Sequence, residues 1–106
     1  MASPYRVVLM TAPRGRKAEL LAKGLVTERL AACVNVVPGV VSHYRWKGRL
    51  RRDAECLLVA KTEAARLPAL ESWVAANHPY AVPEVLAVTV DRGAKPYLRW
   101  LAGELA

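Results

Sequence analysis

Two long runs of strand-forming residues meet at Lys47-Gly48, and their pairing constrains the fold more than any other feature of the sequence. The first run covers residues 32–46, with a break at Pro38-Gly39, and the second covers residues 50–61. A short dipeptide containing glycine between two such runs predicts a β-hairpin. The hairpin is unusually long, and its tip, Arg45 to Arg52, is strongly basic.

Helix and strand signals flank this hairpin on both sides. A strand over residues 5–11 and a helix over about residues 15–29 precede it, and a helix over about residues 63–77, a strand over residues 85–90 and a short C-terminal helix follow it. The order β-α-β-β-α-β-α contains two crossovers. It predicts one α+β domain over residues 1–106, with a ferredoxin-like antiparallel sheet and both main helices on one face.

Membrane insertion and secretion do not fit the sequence. The longest uncharged stretch, residues 30–42, is too short for a membrane span and contains Asn35, Pro38 and Gly39. The first residues lack the apolar segment of a signal peptide. We therefore expect a cytoplasmic protein.

Cys33 and Cys56 are too few for a disulfide framework. The hairpin register places Cys56 opposite about residue 39 rather than opposite Cys33. Both are therefore expected to remain reduced thiols, as is usual in the cytoplasm.

The charge balance is basic. Lys and Arg number 16 against nine acidic residues, which gives a net charge of +7. This excess favours anionic partners such as nucleic acid, anionic metabolites or acidic protein surfaces. The chain is also 54% hydrophobic, and a domain this small buries only part of its surface as a monomer. We expect a partner chain to cover some of the apolar surface.

Catalytic motifs are missing from the sequence. The only histidines are His43 and His78, neither lies near a cysteine in sequence, and no GxSxG, GxGxxG, P-loop or HExxH pattern occurs. The sequence predicts no catalytic residue. It also lacks a metal motif of CxxC or HxxxH type, so on residue chemistry alone His78 is better explained as a helix-terminating residue than as a ligand.

RNA binding is an alternative because RNA-recognition domains share this topology. Those domains stack bases on aromatic residues of the central strands, whereas the strand around Cys56 to Lys61 has none. Tyr44 and Trp46 lie near the hairpin tip among arginines instead. We favour a solvated hairpin whose aromatic residues pack on another subunit, which argues against nucleic acid as the partner.

Several motifs together resemble one family, the CutA divalent-cation tolerance proteins. Their order and spacing match over nearly the whole chain. The matching motifs are Glu-Arg-Leu-Ala-Ala-Cys-Val-Asn-Val at residues 28–36, Ser42-x-Tyr44-x-Trp46-x-Gly48, Lys61-Thr62, His78-Pro79-Tyr80-x-x-Pro83-Glu84 and Tyr97-Leu98-x-Trp100.

The resemblance implies a homotrimer similar in architecture to the PII signalling proteins, with the long hairpins paired to neighbouring subunits. It also implies inter-subunit clefts that hold five residues, Tyr44, Trp46, Lys61, Tyr80 and Glu84. Lys61 and Glu84 would form a polar pair there, and the aromatic rings would form the walls.

The resemblance further implies a role in tolerance of divalent metal ions, without catalysis, and a copper site. His78 would be the principal donor, and Met10 a thioether donor where some relatives carry cysteine. Asn77 stands where some relatives carry a second histidine, so the expected copper binding is weak. The alternative ligand is a small anion, as in PII-type signalling, which the net charge of +7 favours.

Overall fold

The computed structural model describes residues 3–106 and contains four strands and three α-helices. In chain order the elements are β1 (Tyr5–Pro13), α1 (Arg16–Thr27), β2 (Cys33–Trp46), β3 (Arg49–Glu63), a single 3₁₀ turn (Ala64–Arg66), α2 (Leu67–Asn77), β4 (Leu86–Thr89) and α3 (Lys95–Leu105). The strands form one antiparallel sheet in the order β2-β3-β1-β4. The predicted ferredoxin-like α+β architecture with an additional C-terminal helix is confirmed.

One face of the sheet carries the core, and we call it the helix side. Leu21 and Leu25 of α1 pack there with Leu70 and Val74 of α2. The strands contribute alternate residues to this cluster, as the two-residue period of a strand requires: Val8, Met10, Ala12, Cys56, Leu58 and Ala60. Both main helices therefore cover the same face, as predicted.

The two helices approach each other closely at Gly24. A β-carbon built at this position would lie 2.4 Å from the Trp73 ring, well inside van der Waals contact. Glycine is thus required at Gly24 by the space that Trp73 fills, not by an unusual backbone conformation.

The hairpin of β2 and β3 turns at Lys47-Gly48, as predicted. Both residues have positive φ, 49° and 77°, which is the conformation of a type I′ turn. At Pro38-Gly39 the strand continues, because a bulge between Val37 and Val40 accommodates both residues without ladder partners. Cys56 lies opposite this bulge, and both cysteines are free thiols.

The far half of the hairpin extends beyond the rest of the sheet. The pairing of β1 with β3 ends where Pro13 meets Glu55, so among the described residues, 41–46 and 49–54 pair only with each other. We call this two-stranded extension the ribbon. It contributes to the elongated shape of the chain, whose longest dimension is 44 Å.

In the part of the chain that the structure describes, α1 and α2 leave the other face of the sheet, here called the open face, uncovered, and α3 packs near its Tyr5 end. Strand alternation and register place eight aliphatic residues on it: Val7, Leu9, Val37, Val40, Leu57, Val59, Leu86 and Val88. Leu86 and Val88 are 58% and 51% exposed. An apolar surface of this kind typically marks an interaction site.

Helix α3 packs at the end of the sheet. Its Leu101 and Leu105 contact Ala32 and Tyr5 in a second, smaller cluster, and the Arg29 guanidinium donates to the carbonyls of Glu104 (3.0 Å) and Ala106 (3.3 Å). A cation at the C-terminal end of a helix also interacts favourably with the helix dipole. None of the helices within residues 3–106 is long and apolar enough to cross a membrane.

Candidate functional site

His78 ends helix α2, as the sequence predicts, and its ring is 8% exposed. Nε2 lies 2.8 Å from the Thr11 carbonyl oxygen, and Nδ1 lies 3.1 Å from the backbone nitrogen of Tyr80. Because a carbonyl only accepts, Nε2 carries the proton and Nδ1 accepts from the Tyr80 N–H. Both ring nitrogens of His78 are therefore occupied by backbone groups.

Tyr80 connects this loop to the base of the ribbon. Its ring lies against His78 with centroids 4.7 Å apart, and its hydroxyl donates to Glu55 Oε2 at 2.6 Å. Glu55 is only 5% exposed, which is rare for a glutamate. The sequence analysis missed Glu55, although a carboxylate on a strand face that continues with Leu57 and Val59 was a usable signal.

A second phenol–carboxylate pair lies further out on the same face of the ribbon, where Tyr44 donates to Asp53 Oδ2. We call Tyr44, Asp53, Glu55, Tyr80 and Glu84 the phenol–carboxylate cluster. The hydrogen bond to Asp53 raises the pKa of Tyr44. The pKa of Tyr80 is raised mainly by burial and, to a smaller extent, by the hydrogen bond to Glu55. Burial and the negative charge of Glu55 raise the pKa of Glu84. The local environment is thus acidic although the whole chain is basic.

Of the two further residues of the predicted cleft, Trp46 lies two positions beyond Tyr44 on the same face of β2, whereas Lys61 lies away from this cluster in the single chain. Trp46 is at the tip of the ribbon, opposite Arg49. Lys61 lies six positions beyond Glu55 on β3, about 20 Å along the strand. Its ammonium contacts Asn35 and, at 3.9 Å, Cys33 Sγ. Within one chain Lys61 is thus paired with Asn35 rather than Glu84, and the Lys61–Glu84 contact stays a prediction for an assembly.

Met10 lies in the core, 1% exposed, next to Thr11, whose carbonyl receives the His78 hydrogen bond. Met10 is thus one residue along β1 from the backbone group that binds His78. Within residues 3–106, no group of three or more His, Cys, Asp or Glu side chains is arranged to hold a metal ion. The copper site stays a prediction.

Comparisons with known proteins agree with the sequence motifs. The model of the family described as CutA1 divalent ion tolerance protein matches residues 6–104. The divalent-cation tolerance protein CutA of Thermus thermophilus is 50% identical over 95 residues, which cover 90% of this chain and 92% of that protein. The crystal structure of CutA from Xylella fastidiosa superposes with a TM-score of 0.94 at 40% identity, covering 98% of this chain and all of that one.

A rice relative, named Protein CutA 1, chloroplastic, is 47% identical over 98 residues. These residues cover 92% of this chain but only 55% of the rice protein. Its name points to another compartment, so the cytoplasmic location expected here stays a prediction. On the family model, the identities and the fold together, this chain belongs to the CutA1 family of divalent ion tolerance proteins.

Proposed function

We propose that this chain acts in tolerance of divalent metal ions as a cytoplasmic, non-catalytic homotrimer similar in architecture to the PII proteins. The observation that carries the proposal is the open face of the sheet. A sheet with one apolar face covered by helices and the other face also apolar needs a second covering layer. Other copies of the same chain can supply it.

The edges of the sheet support assembly as well. The four residues of β4 are exposed, uncharged and paired only with β1, so one edge of β4 is free for another strand. Proteins usually protect such an edge with charges, prolines or a partner. The ribbon in isolation is a two-stranded element, which is marginally stable in water without further packing.

A matched pair of lysine substitutions tests this assembly surface. Val59 lies in the middle of the open face, between Leu9 and Asn35, whereas Leu20 is 50% exposed on α1. We expect light scattering to give about three times the 11.6 kDa chain mass for the wild type and for Leu20→Lys. Val59→Lys should reduce the mass towards that of one chain. Equal masses for both variants, or a monomeric wild type, would contradict the proposal.

We infer that the metal ion is copper and that it binds at His78, with Met10 as the second donor. The hydrogen bond from His78 to the carbonyl of Thr11, the residue after Met10, supports this assignment. A copper ion bound to either imidazole nitrogen displaces one backbone hydrogen bond, which costs about 0.5–1.5 kcal/mol. The binding is therefore weaker than at a site whose histidine nitrogen is free.

Chelator competition with Cu(I) and Cu(II) tests the copper site. We expect saturable binding near one ion per chain that is lost in His78→Ala and retained in His43→Ala, since His43 is exposed on the ribbon. Met10→Leu keeps the core volume and should weaken Cu(I) selectively. If His78→Ala binds copper as the wild type does, His78 is structural and the assignment is wrong.

The second candidate is a small anion, and Lys61 is the observation in its favour. Lys61 is a partly exposed cation on the open face, beside the amide oxygen of Asn35. The carboxylates of the phenol–carboxylate cluster repel an anion, so Lys61 is the group that would bind it. Nucleotides and inorganic phosphate should then raise the melting temperature of the wild type but not of Lys61→Gln.

A further inference from the structure

Basic residues are concentrated in two segments of the chain, one at the start of helix α1 and one in the ribbon. In the two segments 14–17 and 40–52 there is no Asp or Glu. They contain eight cationic residues, all exposed: Arg14, Arg16, Lys17, Arg45, Lys47, Arg49, Arg51 and Arg52. Half of the 16 cationic residues of the chain are thus concentrated in these two segments.

The fold brings the two segments together although about 25 residues separate them in sequence. Strand β1 ends at Pro13 opposite Glu55, which is where the ribbon leaves the sheet. Helix α1 begins at Arg16, directly after this point, and packs on the helix side through Ala18. The N-terminal end of α1 therefore lies at the base of the ribbon.

The register of the ribbon divides its cations between two faces. His43 pairs with Arg52, and Arg45 pairs with Leu50. Along each strand these residues alternate with residues of the open-face side, so they lie on the helix side, as α1 does. Arg49 and Arg51 pair with Trp46 and Tyr44 on the opposite face, next to the phenol–carboxylate cluster. We call Arg14, Arg16, Lys17, Arg45, Lys47 and Arg52 the basic corner, with Lys47 contributed by the turn.

The shape of the basic corner favours a polymeric anion. Three of its cations lie in the outer part of the ribbon and three at the start of α1, and the ribbon, which rises about 3.3 Å per residue, extends roughly 20 Å from its base at Val40 to the turn. A single phosphate or a small metabolite contacts only a fraction of this length. Four of the six cations are arginines, which bind phosphate in bidentate geometry. The first turn of α1 has no side-chain cap, so its backbone N–H groups add to the positive potential, which Glu19 in the same turn offsets in part.

We propose that the basic corner binds the phosphate backbone of nucleic acid, independently of base sequence. A two-stranded ribbon has the width to enter the major groove of a duplex, and the same cations suit the backbone of a single strand. The proposal does not depend on the proposed trimer or on copper, because the basic corner lies on the side of the sheet away from the open face. The sequence alone argued against nucleic acid because the central strand lacks aromatic residues for base stacking, and the proximity of α1 to the ribbon is not visible in it.

Two charge-reversal variants of the ribbon separate this proposal from a general effect of net charge. Arg45→Glu/Arg52→Glu changes the helix side, and Arg49→Glu/Arg51→Glu makes the same charge change on the opposite face of the same ribbon. Arg14→Glu/Arg16→Glu tests the part of the corner on α1. All six side chains are exposed, and circular dichroism checks that each variant is folded.

Fluorescence anisotropy with a labelled 20-base single strand and a 20-base-pair duplex, between 50 and 200 mM salt, gives the readout. With about six phosphate contacts, the affinity of the wild type should fall roughly 300-fold for a single strand and roughly 1,000-fold for a duplex over this range of salt concentration. The helix-side variant and the α1 variant should each bind at least tenfold more weakly than the wild type and lower the salt slope by about 2. The opposite-face variant should stay within about threefold of the wild type.

Three results would overturn the proposal. These are no binding of either nucleic acid at 50 mM salt, an equal loss in the two ribbon variants, and equal competition by polyglutamate at the same charge concentration. If none of these results is obtained, the ratio of duplex to single-strand affinity identifies which form of nucleic acid the surface prefers.

Discussion

The hydrogen bond between Tyr80 and Glu55 gives the sharpest test of the candidate site. Tyr80→Phe removes the hydroxyl that donates to Glu55 Oε2 at 2.6 Å and keeps the ring that packs on His78. A hydrogen bond to a charged group contributes about 1.5–3 kcal/mol, and Glu55, at 5% exposure, has little water to replace it. A loss of about 2 kcal/mol lowers the melting temperature of a domain of this size by roughly 8–16 °C.

A double-mutant cycle with Glu55→Gln isolates this interaction. The glutamine side-chain oxygen still accepts from Tyr80, but as a neutral group, so Tyr80→Phe should cost only about 0.5–1.5 kcal/mol in that background. Denaturant unfolding at one fixed protein concentration measures all four forms. A cost below about 0.5 kcal/mol in the wild type, or the same cost in both backgrounds, would refute a charge-assisted bond at this position.

Three further predictions concern packing, pH and the C-terminal helix. Gly24→Ala should destabilise the chain by about 1–3 kcal/mol, because the new methyl group overlaps the Trp73 ring. The control Gly103→Ala, in open space on α3, should stabilise the chain by about 0.5–1 kcal/mol. Equal effects of the two substitutions in thermal unfolding would contradict this prediction. The pKa of Glu84 is raised in the folded chain, so the free energy of unfolding should fall as the pH rises from the ordinary glutamate pKa of 4.5 through the raised pKa. Glu84→Gln should flatten that part of the profile when unfolding is measured against pH. Arg29→Gly keeps the backbone conformation at φ 56° and removes both hydrogen bonds to α3, so amide exchange in α3 should accelerate; unchanged exchange would show that Arg29 does not hold the helix.

The fold was largely predictable because its signals are local. The β-hairpin follows from Lys47-Gly48 between two strand-forming runs, and both residues have the positive φ that the turn requires. The sequence interpretation of Pro38-Gly39 as a break was incomplete. The strand continues through a bulge, since an unpaired Pro38 loses nothing by lacking an N–H. Pro68 occupies the first turn of α2, as expected.

The candidate site was less predictable because its contacts join distant parts of the chain. Tyr80 and Glu84 were identified from motifs, but the carboxylate that binds Tyr80, Glu55, is 25 residues away in sequence. Lys61 was grouped with them by resemblance, and only the strand register shows that it lies at the far end of β3 within one chain. The two-residue period of a strand assigns its residues to one face of the sheet or the other. It does not show which position along that face contacts a distant loop.

Amide hydrogen exchange on the unmodified protein tests the central claim, that other copies of this chain cover the open face, including that face of the ribbon, and pair with the free edge of β4. In a monomer, the outward amides of residues 86–89 and the ribbon amides would exchange almost as fast as an unfolded chain, because few packed neighbours protect them. The account predicts slow exchange at these amides, comparable to that of β1 and β3, which becomes faster in Val59→Lys. Fast exchange at β4 and the ribbon of the wild type, with β1 protected, would contradict it.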